Sequence, residues 1–192
     1  MKRVLKALLT ILLFASVLPH ELGHFWMRKL CKMSADALVI GDPYKPPLFT
    51  WGWFRIGEPS FRYEGMVISY TKNSPTLPKW KPIAVLFAGP SMDILAAYSV
   101  ILISPFILPA FWYAFLIILI LKFNFSALWN MFLIRKKIPN SDEWSEHDGY
   151  KIWNTSKPGW FVCLLLIVVS IAYISYEMLF LFYELLLYFH LV

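Results

Sequence analysis

Two histidines and a glutamate near the start of the chain have the spacing that metal-dependent hydrolysis requires. His20, Glu21 and His24 form an H-E-x-x-H motif. On a helix, residues four apart lie on one face, so both imidazoles can reach one zinc ion. Glu21 can then reach a zinc-bound water and act as a general base. The motif predicts a zinc hydrolase centre. The simpler alternative is a pair of histidines that only pack between helices.

A catalytic zinc site needs a third protein ligand and an open fourth position. The two further histidines of the chain are His147 and His190. Among the carboxylates, Asp148 follows a polar loop and begins a short stretch with a helical pattern, which suits a ligand held at the start of a helix. Asp93 lies inside an apolar stretch and is the competing candidate. The residues alone leave the choice between these two carboxylates open.

The composition predicts an integral membrane protein. Of 192 residues, 59% are hydrophobic, 18% are aromatic and only 16% are charged, against about 25% charged in soluble proteins. Such a chain cannot cover a soluble surface with polar groups, and it is too aromatic to be disordered. Two cysteines exclude a disulfide framework and a zinc ribbon. The net charge of +6 is spread between apolar blocks, so we expect no nucleic-acid partner.

Apolar segments predict about four transmembrane helices in a single domain spanning 1–192. Their approximate bounds are 4–30, 83–103, 109–134 and 160–182. Ser104 and Pro105 predict a break after the second segment. Residues 135–147 are read as a polar loop, followed by a short amphipathic helix at about 148–154. The fold class is therefore a polytopic α-helical membrane protein.

A different pattern lies between the first two spans. The prolines of residues 36–80 forbid a long helix, and aromatic and β-branched residues between them predict short strands. The aromatic content is high for a solvated loop. We therefore expect a small β-rich segment that is associated with the membrane interface.

The distribution of Lys and Arg predicts the orientation in the membrane. The loops at 28–81 and 135–159 hold most of these residues, whereas the turn at 104–109 holds none. The positive-inside rule places both long loops in the cytoplasm and both termini outside, although Lys2, Arg3 and Lys6 oppose this orientation. A helix from residue 4 carries His20 about 24 Å along its axis, so the catalytic site would lie near the cytoplasmic side. We expect a multi-pass protein of a prokaryotic plasma membrane.

Three motifs in order resemble the site-2 protease family of intramembrane zinc metalloproteases. They are HELGH at 20–24, AGPSMD at 88–93, and WNMFLI at 129–134 followed by Asp148-Gly149. The family has a three-helix core that carries H-E-x-x-H on the first helix, an A-G-P-x-x-N-like motif on the second, and N-x-x-P ending in D-G on the third. The resemblance covers most of residues 10–155.

The resemblance implies roles for individual residues. It assigns His20, His24 and Asp148 to Zn²⁺ and Glu21 to the activation of water. Polar and backbone groups in the second and third motifs are candidate substrate or transition-state contacts. These are Gly89, Asp93 and Asn130.

The chain also departs from the family pattern. Asp93 stands where the family often has Asn, and Leu133 stands where the proline of N-x-x-P is expected. The connection at 135–147 is longer than usual, so Asp142 competes with Asp148 as the third ligand. No stretch is long enough for the additional domain that many members carry, and we expect a minimal member.

The resemblance and the motif together predict an intramembrane zinc metalloprotease. Its reaction would hydrolyse a peptide bond in or near a transmembrane segment, and its partners would be a membrane-protein or membrane-inserted peptide substrate and the lipid bilayer. The alternative is a proteolytically inactive zinc-binding membrane regulator or chaperone of the same fold. The departures at Asp93 and Leu133 motivate this alternative, and the intact Glu21 opposes it. The substrate, the pathway and the oligomeric state stay open.

Overall fold

The computed structural model describes residues 17–42, 45–58, 65–69, 77–107, 113–137 and 144–188. This part of the chain is mostly helical and contains two small sheets. The helices are α1, described over 17–30, α2 (Trp80–Ile107), α3 (Tyr113–Met131), α4 (Asp148–Thr155) and α5 (Lys157–Tyr188). The strands are β1 (Ala37–Ile40), β2 (Phe49–Trp51), β3 (Phe54–Ile56), β4 (Gly65–Ile68), β5 (Arg135–Lys137) and β6 (Trp144–Glu146).

Two helices of the described part are long and apolar enough to cross a membrane. They are Trp80–Ile103 within α2 and Lys157–Leu187 within α5, and α3 contains a shorter apolar stretch, Phe115–Met131. Residues 4–16 of the first predicted span lie outside the described residues. The helical character, two candidate spans and a small sheet at the predicted place therefore agree with the expected fold class, while a total of four spans stays a prediction.

The predicted helix break at Ser104 and Pro105 is wrong. Helix α2 continues through both residues to Ile107. A proline in the last helical turn removes one backbone hydrogen bond, and helices with an apolar environment tolerate this loss. At the start of α5, Pro158 stands in the first turn, where no intrahelical donor is needed. Both prolines lie in a terminal turn of a helix, where proline is tolerated. The sequence pattern alone does not show where a helix ends.

The polar loop at 135–147 contains a hairpin that the sequence did not predict. Strands β5 and β6 pair antiparallel, with Arg135 opposite Glu146. Arg135 Nε lies 3.3 Å from a carboxylate oxygen of Glu146, so an ion pair joins the open end of the hairpin. Each strand is only three residues long and carries charged residues, so no alternation of apolar and polar residues indicates it in the sequence. The short amphipathic helix predicted after this segment is confirmed as α4.

The chain divides into two compact units, Met1–Met92 and Asp93–Val192. In the first unit, four strands form a sheet in the order β2-β3-β1-β4. Strand β1 pairs parallel with β3 and antiparallel with β4, and β2 pairs antiparallel with β3. All four residues of β1 are buried because it lies inside the sheet. Val17 and Phe25 of α1 pack with Leu38 and Ile40 of β1, so α1 covers one face of this sheet.

Helix α1 ends in a tight backbone turn. The N–H of Met33 donates to the carbonyl of Arg28 at 2.8 Å, and the N–H of Lys32 donates to that of Lys29 at 3.0 Å. This pair of bonds is the Schellman arrangement, which needs a left-handed residue after the helix. Lys32 fills that position with a φ of 55°, although glycine is the residue that adopts it without steric cost.

In the second unit, α3 and α4 both pack against α5 and against each other. The indole N–H of Trp160 donates to the carbonyl of Met131 at 2.9 Å and joins the start of α5 to the end of α3. A cluster of buried apolar side chains from α2, α3 and α5 forms the core: Ala97, Ile101, Ile120, Phe123, Ile174 and Leu181.

Candidate metal centre

The two histidines of the H-E-x-x-H motif point their ring nitrogens toward each other. Nε2 of His20 and Nε2 of His24 are 3.1 Å apart. Two nitrogen ligands of a tetrahedral zinc ion, each bonded at 2.0–2.1 Å, lie about 3.3 Å apart. His20 is buried and His24 is partly buried. The helical register of α1 therefore produces a nitrogen pair whose separation fits one zinc ion.

A backbone carbonyl of α2 orients one of these rings. Nδ1 of His24 lies 2.7 Å from the carbonyl oxygen of Val85. Because a carbonyl only accepts hydrogen bonds, Nδ1 carries the proton, and the lone pair of Nε2 faces His20. Metal-binding histidines are commonly held in this way through their second ring nitrogen.

Two glycines allow α1 and α2 to approach closely at the histidine pair. A Cβ atom added to Gly23 would clash with the carbonyl oxygen of Ala88 and lie 2.7 Å from Cγ of Met92. A Cβ atom on Gly89 would lie 2.7 Å from Nε2 of His20 and would clash with Nε2 of His24. Gly89 therefore borders the ligand atoms, and any larger side chain there would occupy the space beside them.

Glu21 and Asp148, the predicted base and third ligand, lie on different helices, α1 and α4. Glu21 follows His20 on α1 and is partly exposed. Asp148 begins α4 and is buried, with 8% of its surface exposed. A Cβ atom on the adjacent Gly149 would clash with the carbonyl oxygen of Met131. This close approach of α4 to α3 holds the Asp148 backbone in place.

The residue before Asp148 adds two further restraints. The backbone N–H of His147 donates to Ile134 at 3.1 Å. Its ring Nδ1 lies 3.2 Å from the carbonyl oxygen of Trp129, so the ring donates there. These bonds fix the chain as it enters α4.

Among the described residues, the candidate metal ligands are His20 and His24 of the first unit and Asp148 of the second. Two imidazoles and one carboxylate are a donor set that catalytic zinc sites use. The residues present thus fit the metal that the motif predicts.

The other predicted site residues have different surroundings. Asp93 is fully buried in α2. The side-chain amide of Asn130 donates to the carbonyl of Ser126 at 3.0 Å, within its own helix. Asp142 falls outside the described residues, so the structure does not test its competition with Asp148.

Sequence reasoning missed two contributors to the site. The first is the backbone carbonyl of Val85, which the sequence cannot single out because every residue has a backbone carbonyl. Gly23 lies inside the motif, but only its approach to Ala88 shows why a small residue is required.

Asn124 is a further buried polar residue, and its Oδ1 has no hydrogen-bond partner among the groups that the structure describes. Its only sequence signal is an amide in an apolar helix.

Comparison with known proteins supplies one match. The sequence model of Peptidase family M50 matches residues 8–178. This range contains the H-E-x-x-H motif, both glycine contacts of α1 and α2, and the Asp148-Gly149 pair. A search of curated proteins found no match.

Proposed function

Because the chain belongs to peptidase family M50, the site-2 protease family, we propose that it is a zinc-dependent intramembrane endopeptidase. Membership of this membrane-embedded family implies a metallopeptidase. The observation that carries the finer proposal is the separation of 3.1 Å between the Nε2 atoms of His20 and His24. This separation, together with the Val85 carbonyl behind His24, prepares two ligands for one ion.

His20, His24 and Asp148 are the proposed zinc ligands. A bound zinc ion supplies Lewis acidity, which polarises a carbonyl and makes water acidic near neutral pH. Burial of His20 and Asp148 keeps competing water away from the ligand atoms. The hydrogen bond from His24 to Val85 keeps the correct nitrogen available, so the ring loses little freedom when it binds a metal.

Glu21 is the proposed general base and acid. Its carboxylate accepts a proton from the attacking water as the water oxygen forms a bond to the scissile carbonyl carbon. The same carboxyl group then returns the proton to the leaving amine as the C–N bond breaks. One proton thus moves from water to the new amine, and Glu21 ends as it began. Asn130 is the proposed hydrogen-bond donor to the oxyanion, for which it would exchange its hydrogen bond to Ser126. Asp93 is a proposed substrate contact.

The proposed substrate is a transmembrane segment or a membrane-inserted peptide. In a helical substrate the backbone groups are hydrogen-bonded to one another, so the segment must unwind before hydrolysis. Strand β2 lies at one edge of the four-stranded sheet, and all three of its residues are exposed. An unwound segment can add to such an edge through backbone hydrogen bonds. This binding mode would hold the substrate extended.

The proposed location is a prokaryotic plasma membrane, with the catalytic site near the cytoplasmic side and both termini outside. The apolar helices within α2 and α5 support membrane insertion. The positive charge of the long loops supports the orientation. An inactive zinc-binding regulator or chaperone is the second candidate, because Asp93 and Leu133 depart from the pattern of the family.

The test compares purified wild-type protein with the Glu21→Gln variant in bilayers. Zinc content is measured by mass spectrometry, and cleavage is measured on a model transmembrane peptide. We expect both proteins to hold about one zinc ion per chain, and only the wild type to cleave, with a loss of about 10²-fold or more in the variant. Glu58→Gln is the matched control, since Glu58 is an exposed glutamate that pairs with Lys45.

Two results would contradict the proposal in different ways. Zinc binding without any cleavage by the wild type would favour the inactive regulator. Cleavage by Glu21→Gln near the wild-type rate would remove Glu21 from the mechanism.

A further inference from the structure

Three polar side chains follow one another along one side of α3. They are Lys122, Ser126 and Asn130, and we name this set the polar strip. Residues four apart on a helix lie one above the other, so the three share a narrow part of the helix surface. All three are partly exposed. By helical position, the buried Phe123 lies on one side of the polar strip and the exposed Phe125 on the other, so the strip borders the packed face of α3.

One end of the polar strip adjoins the proposed third zinc ligand. Asn130 precedes Met131, the last residue of α3. The carbonyl oxygen of Met131 lies against Gly149, where an added Cβ atom would clash with it. Gly149 directly follows Asp148, and all of these residues belong to the second unit. The polar strip therefore leads from Asp148 toward the middle of α3.

Lys122 at the other end of the polar strip is the central residue of α3. The helix begins at Tyr113 and ends at Met131, so its length is about 28 Å and each end lies about 14 Å from Lys122. The hydrocarbon core of a bilayer is roughly 30 Å thick. In the predicted third span, Lys122 thus lies near the centre of the bilayer, where lipid phosphates do not reach it.

A charged ammonium group at this depth requires an anionic partner. Lysines near a helix end extend their side chains to the headgroups, but a central position keeps the headgroups out of reach. No carboxylate among the described residues forms an ion pair with Lys122. An ammonium group in an apolar environment is strongly unfavourable without a counter-charge. Because Lys122 is partly exposed, a second chain can supply that charge.

We propose that Lys122 binds a carboxylate of the substrate, from an aspartate or glutamate within the membrane-inserted segment. This inference rests on the proposed function and names a substrate class for it. A lone carboxylate is unfavourable in the bilayer in the same way as a lone ammonium, so pairing stabilises both. Ser126 and Asn130 offer hydrogen-bonding groups to an unwound substrate backbone, which lipid cannot provide.

The length of the polar strip sets the position of this carboxylate in the substrate. Asn130, the proposed oxyanion contact, lies about 12 Å along the helix axis from Lys122. An extended chain covers about 3.3 Å per residue. The acidic residue should therefore lie about four residues from the scissile bond, on the side that runs toward the middle of α3. A substrate that stayed helical would need about eight residues for the same distance.

The test measures peptide binding to the full-length Glu21→Gln protein in nanodiscs, so that it does not depend on cleavage. The peptides are fluorescent model transmembrane segments with a single Glu at successive positions, each compared with its Gln counterpart. Lys122→Met removes the cation and Lys122→Arg keeps it, both in the Glu21→Gln background. Lys79→Met is the matched control, since Lys79 is an exposed lysine that precedes α2.

We expect one Glu position to bind about 10-fold more tightly than its Gln counterpart. This preference should persist in Lys79→Met and Lys122→Arg and be lost in Lys122→Met. Lys122→Glu should instead prefer a peptide with Lys at that position, a reversal that misfolding would not produce. Equal binding of every Glu and Gln pair by the Glu21→Gln protein would overturn the proposal. A preference that persists in Lys122→Met would overturn it too, because another group would then bind the carboxylate.

Cleavage by the wild-type protein separates this inference from the proposed function. Mass spectrometry of the products locates the scissile bond, which we expect about four residues from the preferred Glu. A preferred Glu next to the scissile bond would contradict the position of Lys122 in α3 and overturn the proposal. Charge-dependent binding that requires Lys122, without cleavage of any peptide, would contradict the proposed function and support the carboxylate site.

Discussion

Nδ1 of His24 lies 2.7 Å from the carbonyl oxygen of Val85. This bond assigns the proton to Nδ1 and leaves Nε2 available to a metal. The acceptor belongs to the backbone of α2, whereas the motif belongs to α1. The readiness of the histidine therefore depends on the close approach of the two helices, which Gly23 and Gly89 permit.

Gly89→Ala should weaken zinc binding. The added methyl group would lie 2.7 Å from Nε2 of His20 and would clash with Nε2 of His24, so one ring must move or α2 must shift. We expect a loss of about 10- to 100-fold in zinc affinity, as for disturbed ligand orientation elsewhere, measured by competition with a chelator. Gly52→Ala is the control, because no atom lies within 4 Å of a Cβ there. Its positive φ predicts reduced stability with unchanged zinc affinity.

The third ligand can be identified by comparing alanine variants. Asp148→Ala should lose zinc as severely as His24→Ala, because Asp148 is buried at the start of α4 and its backbone is held against α3. Asp142→Ala and Asp93→Ala should retain the metal. Zinc stoichiometry of the folded proteins is the measurement. Retention in Asp148→Ala, with loss in either of the other two aspartate variants, would transfer the ligand role to that residue.

Lys32→Gly should stabilise the protein. The φ of 55° at this position is strained for a side chain with a Cβ atom and relaxed for glycine. We expect a gain of about 0.5–1 kcal/mol in the free energy of unfolding, measured by denaturant unfolding in mild detergent. Lys29→Gly, inside the last turn of α1, provides the contrast and should destabilise by up to about 1 kcal/mol. Equal effects at the two positions would rule out the backbone explanation.

The predicted orientation can be tested by cysteine labelling of intact cells. Introduced cysteines at positions 2 and 191 should react with a membrane-impermeant maleimide, while those at 72 and 143 should react only after permeabilisation. The expectation follows from the number of Lys and Arg residues in the long loops. The opposite labelling pattern would show that Lys2, Arg3 and Lys6 determine the topology. All four positions lie outside the described residues.

Local patterns in the chain predicted the elements that carry the site. The spacing of His20 and His24 placed both rings on one helix face, and the structure brings their Nε2 atoms together. The amphipathic stretch after Asp148 forms α4. The prolines and β-branched residues before α2 predicted short strands, and the structure has four of them in one sheet. Each of these features depends on helical or strand periodicity within a few residues, which is why the sequence alone is sufficient.

Tertiary packing decided the rest. Every residue has a backbone carbonyl, but only the approach of α2 to α1 places the carbonyl oxygen of Val85 next to Nδ1 of His24. The parallel pairing of β1 with β3 makes β2 an edge strand, and this order exposes Phe49 and Trp51. Such contacts join residues that are distant in the chain, and many chain paths are compatible with the same local propensities. The geometry of such contacts depends on where side chains are small enough for two backbones to approach, as at Gly23 and Gly89.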